Sequence, residues 1–371
     1  MLGRPVVILA DSEDGRSDEE ELHYDFSALG RRISLQLRPN KNLISPYFKG
    51  VRIDEYGPRT FNLDDRSRNC HYLHRDGHTT AAISLYQNKL VNGFVLLSNE
   101  TIEIHPLSPH LHQFLPDRED GFDEDLTPHI VRLAQLNIDD GALVADTGLA
   151  TVGGVCSQKY NCVIGELGTT NNFGKPYPSA GFTAVYIMAH EIGHNLGMHH
   201  DSTQNSCPKD GYIMSPSRVD LGDLQNNYEM LLDYDVENNR MKRATNRLER
   251  FTLETSVFFD EAAHRLFMPF LNNDREKIVD MLLAYMNGAS ITLRPFHIQA
   301  LYHHPSLGPK SVDIVIVKME LMSRQPSAIP LDGERGSLLD SFCSYAASQN
   351  PKGDADPNHW DIALYVSGYV M

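Results

Sequence analysis

The run His190-Glu191-Ile192-Gly193-His194-Asn195-Leu196-Gly197-Met198-His199-His200-Asp201 governs how the rest of this chain is read. Two histidines four positions apart on a helix lie one turn above each other, so their imidazoles face a common point. The surrounding pattern predicts a helix from about Thr183 to Leu196, with Val185, Met188, Ala189 and Ile192 on its apolar side. Gly197 follows, and glycine tolerates the positive φ with which a helix ends and the chain turns away. His200 then returns as a third nitrogen donor. Three imidazoles with a fourth position left to water form the donor set of a catalytic Zn²⁺, and Glu191 is spaced to take a proton from that water. HExxH alone is a weak pattern, but the extended run fixes six positions and sets glycine where the backbone must turn. His199 is read as a surface or neighbouring residue, because the spacing selects His200.

The bulk of the sequence narrows the class. At 371 residues the chain is long enough for two or three domains, and 41% apolar content is ordinary for a globular protein. No apolar run approaches the roughly 20 residues that span a bilayer. The net charge of −16 argues against nucleic acid, which demands clustered Lys and Arg. Only a short apolar stretch follows Met1 before acidic residues begin, too short for a secretory signal. That leaves a cytosolic chain or one whose true start lies upstream. Cys70, Cys156, Cys162, Cys207 and Cys343 are odd in number, so at least one lacks an intramolecular partner.

Four segments are expected. Residues 1–132 carry short alternating stretches, such as Arg32-Ile33-Ser34-Leu35-Gln36-Leu37, and read as a mainly β domain with an acidic linker from Pro116 to Asp125. Asn99-Glu100-Thr101 is a glycosylation sequon, relevant if the chain is secreted. Residues 133–218 hold a strand-like stretch from Gly148 to Cys156, the zinc run and Gly211-Tyr212-Ile213-Met214-Ser215-Pro216. Residues 219–250 are polar and end in a basic cluster. Residues 251–371 alternate: strands at Thr255–Phe259, Val312–Val317 and Asp361–Val366, helices at Asp274–Met286 and near Ser337–Ser348. Ala289 to Ile298 reads as an interruption of the first of these helices, since Pro295 breaks helices.

The zinc run followed by Met214 resembles the metzincins, whose Met-turn lies beneath the metal. Asp201 resembles the adamalysin (reprolysin, M12B) branch, and Thr147-Gly148-Leu149-Ala150-Thr151-Val152-Gly153-Gly154-Val155-Cys156 is similar to the cleft-rim strand of its ADAMTS members. The resemblance implies an α/β (α+β) catalytic domain with a mixed, mostly parallel sheet, an active-site helix and a Met-turn, beside a mainly β propeptide-like domain. It implies a secreted zinc-dependent metalloendopeptidase, made as a zymogen, whose substrates are extracellular or matrix proteins.

The order departs from that family. Residues 24–130 are similar to an ADAMTS propeptide, 145–218 to the second half of the catalytic domain, and 251–371 to its first half. Arg240-Met241-Lys242-Arg243 resembles a furin site, which makes a proprotein convertase a partner at Arg243; a basic solvated linker is the competing reading. A mis-ordered gene model or a rearranged gene explains the swap. Residues 219–250, reaching on the order of 100 Å when extended, are long enough to connect permuted halves. The expectation is that 251–371 supplies most sheet strands, while 145–218 adds the rim strand, active-site helix and Met-turn. By resemblance Cys162 pairs with Cys343, Glu254 and Asp354 match Ca²⁺ ligands, and Tyr86 stands where a partner of Cys70 is expected. The competing function is a catalytically inactive zinc-binding remnant or a propeptide-like binding module.

Overall fold

The computed structural model describes residues 6–9, 21–76, 78–86, 90–97, 100–107, 128–133, 148–170, 176–178, 183–203, 214–215, 249–293, 310–331 and 334–368. Its strands are β1 (Val6–Leu9), β2 (Leu22–Ala28), β3 (Arg31–Pro39), β4 (Ile44–Asp54), β5 (Gly57–Phe61), β6 (His71–Arg75), β7 (Thr80–Tyr86), β8 (Leu90–Leu97), β9 (Glu100–Pro106), β10 (Pro128–Leu133), β11 (Gly148–Ala150), β12 (Cys162–Glu166), β13 (Gly168–Thr170), β14 (Pro176–Pro178), β15 (Glu249–Phe259), β16 (Lys310–Met322) and β17 (Ile362–Ser367). Its helices are α1 (Asp65–Arg68), α2 (Thr183–Asn195), α3 (Glu261–Phe267), α4 (Arg275–Leu293) and α5 (Arg335–Gln349). The linker at 116–125, the sequon at Asn99, Cys207 and Arg240–Arg243 lie outside the described residues.

Among the described residues, β1-β10-β9-β8-β7-β6-β3-β2 form an antiparallel sheet. Its period-two alternation is clean: Ile33, Leu35 and Leu37 point inward with Tyr24 and Phe26, while the residues between them are exposed. β2 and β3 join through Leu29 and Gly30, both at positive φ, as a tight hairpin turn requires.

The second sheet runs β11-β12-β17-β15-β16-β4-β5. The β12–β17, β17–β15, β15–β16 and β16–β4 pairings are parallel, and only the two outer pairings are antiparallel. β12 and β17 are buried on both faces, which fits their unbroken apolar runs. β4 comes from the N-terminal segment, so residues 44–61 leave the β-rich unit read from the sequence and extend the mixed sheet at β16.

Several expected elements have different bounds. Gly148 to Cys156 is not one strand: β11 stops at Ala150 and turns follow, with Gly153 at φ 72°. Helix α4 does not break at Ala289 but continues to Leu293, and Ser290 Oγ donates to the Met286 carbonyl inside it. Pro295 lies outside the described residues.

Helix α4 packs between the two sheets. Asn287 accepts from Asn40 Nδ2 at 2.9 Å and donates to the Tyr72 carbonyl at 3.1 Å. Tyr86 hydroxyl donates to the Asp280 carbonyl at 2.7 Å, and Ser67 Oγ approaches Asp280 Oδ1 at 3.4 Å. Burial, then the charges of Asp64, Glu276 and Asp274, push the Asp280 carboxyl up to about 6, against only the Ser67 hydrogen bond. A carboxyl raised on folding adds stability that is complete below its unfolded pKa and is lost as pH rises through the folded value. Unfolding by urea is therefore expected to show stability falling by at most about 3 kcal/mol between pH 4 and pH 7 from this group, and Asp280→Asn to flatten that fall.

Candidate metal centre

Helix α2 sets two of the predicted donors. Its apolar stripe of Val185, Met188, Ala189 and Ile192 is fully buried against β12 and α4, which leaves His190 and His194 on a half-buried side of the helix. The helix ends as the sequence predicts. Gly197 has φ 103°, its N–H donates to the His194 carbonyl, and Met198 N–H donates to the Gly193 carbonyl at 3.0 Å. This pair of bonds is the Schellman arrangement, in which a glycine just past the helix reverses the chain. The reversed segment brings back His200, held as Asp201 N–H donates to the Met214 carbonyl at 2.8 Å.

His190 Nε2 lies 3.2 Å from His200 Nε2, and His194 Nε2 lies 3.0 Å from it. Donor atoms of all three histidines fall within 4.8 Å of one another. Nitrogens bound tetrahedrally at about 2.05 Å from zinc would be separated by roughly 3.3 Å, close to this spacing. The proton chemistry agrees. His194 Nδ1 donates to the Met198 carbonyl at 2.7 Å, so its Nε2 presents a lone pair to the cluster. The residues fit a zinc ion. His199 is exposed, outside the cluster.

Met214 is 3% exposed, and its Sδ would lie 2.6 Å from a Cβ added at Gly193. Glycine at 193 thus lets the thioether approach the helix between the two histidines. Residues 211–213 lie outside the described residues. Glu191 is 4% exposed, with its side chain against β11 at Gly148.

Sequence reasoning missed the loop that closes the helix end. Gly153 N–H donates to the His194 carbonyl at 2.9 Å, and Val155 N–H to the Asn195 carbonyl at 3.1 Å, satisfying acceptors that a helix leaves open. Buried Asn195 returns two bonds, to the Thr151 and Tyr160 carbonyls at 3.2 and 2.8 Å. The signal was the paired Gly153-Gly154: a Cβ at 154 would overlap the Tyr160 carbonyl and Asn195 Nδ2. The five-residue strand β12 was also missed.

Cys162 on β12 and Cys343 on α5 are disulfide-bonded, with Cα atoms 5.5 Å apart across a sequence separation of 181. Cys156 is exposed, whereas Cys70 is a buried free thiol near the Ser67 carbonyl and His71, and burial drives its pKa far up. A thiol so protonated is a poor metal ligand.

Of the two residues matched to calcium, Asp354 joins His359 and Asp361 in a second cluster of possible donor atoms within 4.8 Å. Glu254 adjoins it through its backbone: its N–H donates to Asp361 Oδ2, and its carbonyl accepts from Asp361 N–H. Burial first, then the Asp361 charge, raises the Glu254 carboxyl, and burial raises Asp361. Two carboxylates and one imidazole thus lie within reach of a common point, and the imidazole is foreign to an all-oxygen calcium set.

The family model described as "Metallo-peptidase family M12B Reprolysin-like" matches residues 129–239, and "Reprolysin family propeptide" matches residues 9–74. "A disintegrin and metalloproteinase with thrombospondin motifs adt-1" of Caenorhabditis elegans is 32% identical over 128 residues, 33% of this chain and 8% of that protein. "A disintegrin and metalloproteinase with thrombospondin motifs 19" of Homo sapiens is 31% identical over 104 residues, 27% of this chain and 7% of that protein. Together these matches support an ADAMTS-like member of the reprolysin family. It spans less than a tenth of the length of these curated relatives. Membership supports a metallopeptidase with a propeptide, and no helix among the described residues is long and apolar enough to cross a membrane.

Because the Cys162–Cys343 bond closes so long a loop, its loss falls mainly on the unfolded state. Cys162→Ser with Cys343→Ser is expected to lower the urea unfolding free energy by about 2–5 kcal/mol relative to the oxidised chain. A midpoint unchanged by the double substitution would contradict this.

Proposed function

We propose that this chain is a zinc-dependent endopeptidase whose catalytic-domain halves occur in permuted order behind a propeptide-like segment. The observation that carries it is the convergence of His190, His194 and His200 through their Nε2 atoms, beside a buried glutamate at the next helix position. Bound zinc would acidify a water and polarise a peptide carbonyl. The chain's own residues supply the rest. Glu191 accepts the proton released as the water attacks, and returns it to the departing amide nitrogen. His194, its Nδ1–H held by the Met198 carbonyl, turns Nε2 toward the other two imidazoles. Met214 supports the pair of helix histidines from below.

The permuted order is supported by the parallel ladder of β12 on β17 and by the Cys162–Cys343 bond, both of which join residues 148–203 to 249–368. The disulfide also favours an oxidising compartment, and with the family it supports secretion and substrates among extracellular or matrix proteins. Calcium at Glu254 and Asp354 rests on the charge gathered there, with Asp361 as a further carboxylate. Cleavage by a convertase after Arg243 would, in this order, leave two chains joined by the disulfide.

The test is a peptidase assay on the full chain with metal content measured in parallel. Wild type is expected to bind one tightly held zinc and to cleave unstructured peptides, and Glu191→Ala to keep zinc while losing about 10²–10⁴-fold in rate. Equal rates in the two proteins would sink the mechanism. A zinc-loaded wild type without activity would leave the inactive remnant in its place.

A further inference from the structure

Gly148 occupies the point where the Glu191 side chain comes down on the rim strand. A Cβ added at 148 would stand 2.5 Å from Glu191 Cγ and 2.6 Å from Cδ, and would also overlap Oε1. Non-bonded carbons need about 3.5 Å or more. The room for the base therefore exists because residue 148 has no side chain. Its partner across the ladder is Gly165, where an added Cβ would touch Met188 Cγ at 3.4 Å. β11 and β12 thus present two side-chain-free positions next to each other beneath α2. Met188 settles over one and Glu191 over the other, two residues three apart on the same helix face. The flanking positions on this side of the ribbon, Ala150 and Val163, carry side chains of their own, so the trough is confined to the 148/165 pair.

Confinement matters because a glutamate carboxylate moves with several torsions, and only some rotamers point it where a proton can be collected. The wall of that rotamer space is the β11 backbone. That wall is firm: β11 is laddered to β12, β12 is laddered to β17, and Cys162 at its start is bonded to Cys343. A methyl group at 148 would meet a strand that cannot retreat without breaking the ladder, so the glutamate must swing away.

We infer that Gly148 is a positioning residue for Glu191, its missing side chain fixing the rotamer in which the carboxylate stands beside the three histidines. The inference rests on the proposed role of Glu191 as the base. It is tested on the full zinc-loaded chain with Gly148→Ala, Glu191→Ala and the double variant. Gly148→Ala is expected to retain its zinc, to keep KM within about threefold, and to lose about 10–100-fold in kcat, the effect of misplacing a catalytic group by about an ångström. The acid limb of its pH–rate profile should shift as well, which loss of packing alone would not cause. A second reading is independent of activity. The thermal midpoint should fall on Gly148→Ala when Glu191 is present and should not fall when Glu191 is already alanine, since the methyl then enters vacated space. A chain that folds with Gly148→Ala only in the Glu191→Ala background would support the inference equally. Equal loss of midpoint in both backgrounds, failure of both to fold, or an unchanged kcat would overturn it. A wild type that binds zinc but cleaves nothing would remove the peptidase reading alone, because the stability cycle still reports whether residue 148 holds the glutamate in place.

Discussion

The parallel ladder between β12 and β17 is the constraint on which the remainder of the site hangs. It pairs Cys162–Glu166 with Ala363–Ser367, two stretches that the sequence places on opposite sides of the long segment between α2 and β15. One face of β12 meets α2 through Val163, and the other meets α5 through Ile164 and Cys162. Neither segment can bury its apolar surface alone, because a parallel pair demands cover on both sides. The histidine-bearing helix α2 is therefore held by strands supplied elsewhere in the sequence. Sheet order follows from which edges pair, not from the order in which the chain delivers them, and the disulfide secures the same joint covalently.

A second dependence runs from the rim strand to the imidazoles. The last carbonyls of α2 accept hydrogen bonds from Gly153 and Val155, while Asn195 reaches back to Thr151 and Tyr160. Helix end and rim loop are thus reciprocally satisfied, and each would leave buried polar groups open without the other. His194 sits inside that closure, its ring oriented by the Met198 carbonyl one turn later. The geometry of the three nitrogens is in this way a property of strand, loop and helix terminus together.

What the sequence made legible follows the same physics. The run from His190 to His200 was readable because a 3.6-residue period, one terminating glycine and one returning histidine leave little freedom. β12 was not readable: five residues buried on both faces show no alternation, and Cys162-Val163-Ile164-Gly165-Glu166 is short. Gly148 to Cys156 looked extended because its glycines carry no pattern, whereas Gly153 in fact turns the chain. β16 runs beyond Val317 because its polar residues are paired inside. Lys318 Nζ meets Glu320 Oε2 at 2.7 Å, Tyr345 donates to Glu320, and Phe258 and Trp360 lie under the ammonium. A buried, fully partnered ion pair reads in sequence as a solvated strand end. The affiliation of β4 with the mixed sheet was invisible for another reason: alternation states that a strand has an inner face, not which sheet it joins.

That last ambiguity bears on what a domain boundary means here. Helix α4 is buried from Met281 through Ser290 without a break, a helix covered on every side and not along one stripe. Its cover comes from both sheets: Leu73, Ala82 and Phe94 from the antiparallel sheet share one core with Val185, Met188, Val257 and Met286. Phe94 and Val185 both close on Gly288, where even a methyl group would collide with the aromatic ring. A boundary drawn at residue 132 from sequence pattern therefore cuts through a core to which both sheets contribute. Separating the N-terminal strands from the rest would expose one face of α4 and strand the Asn287 amide bonded to Asn40 and Tyr72. In this chain the unit that looks like a propeptide keeps a core of its own around Tyr24, Leu35 and Ile102, yet shares a second core with the unit that carries the histidines.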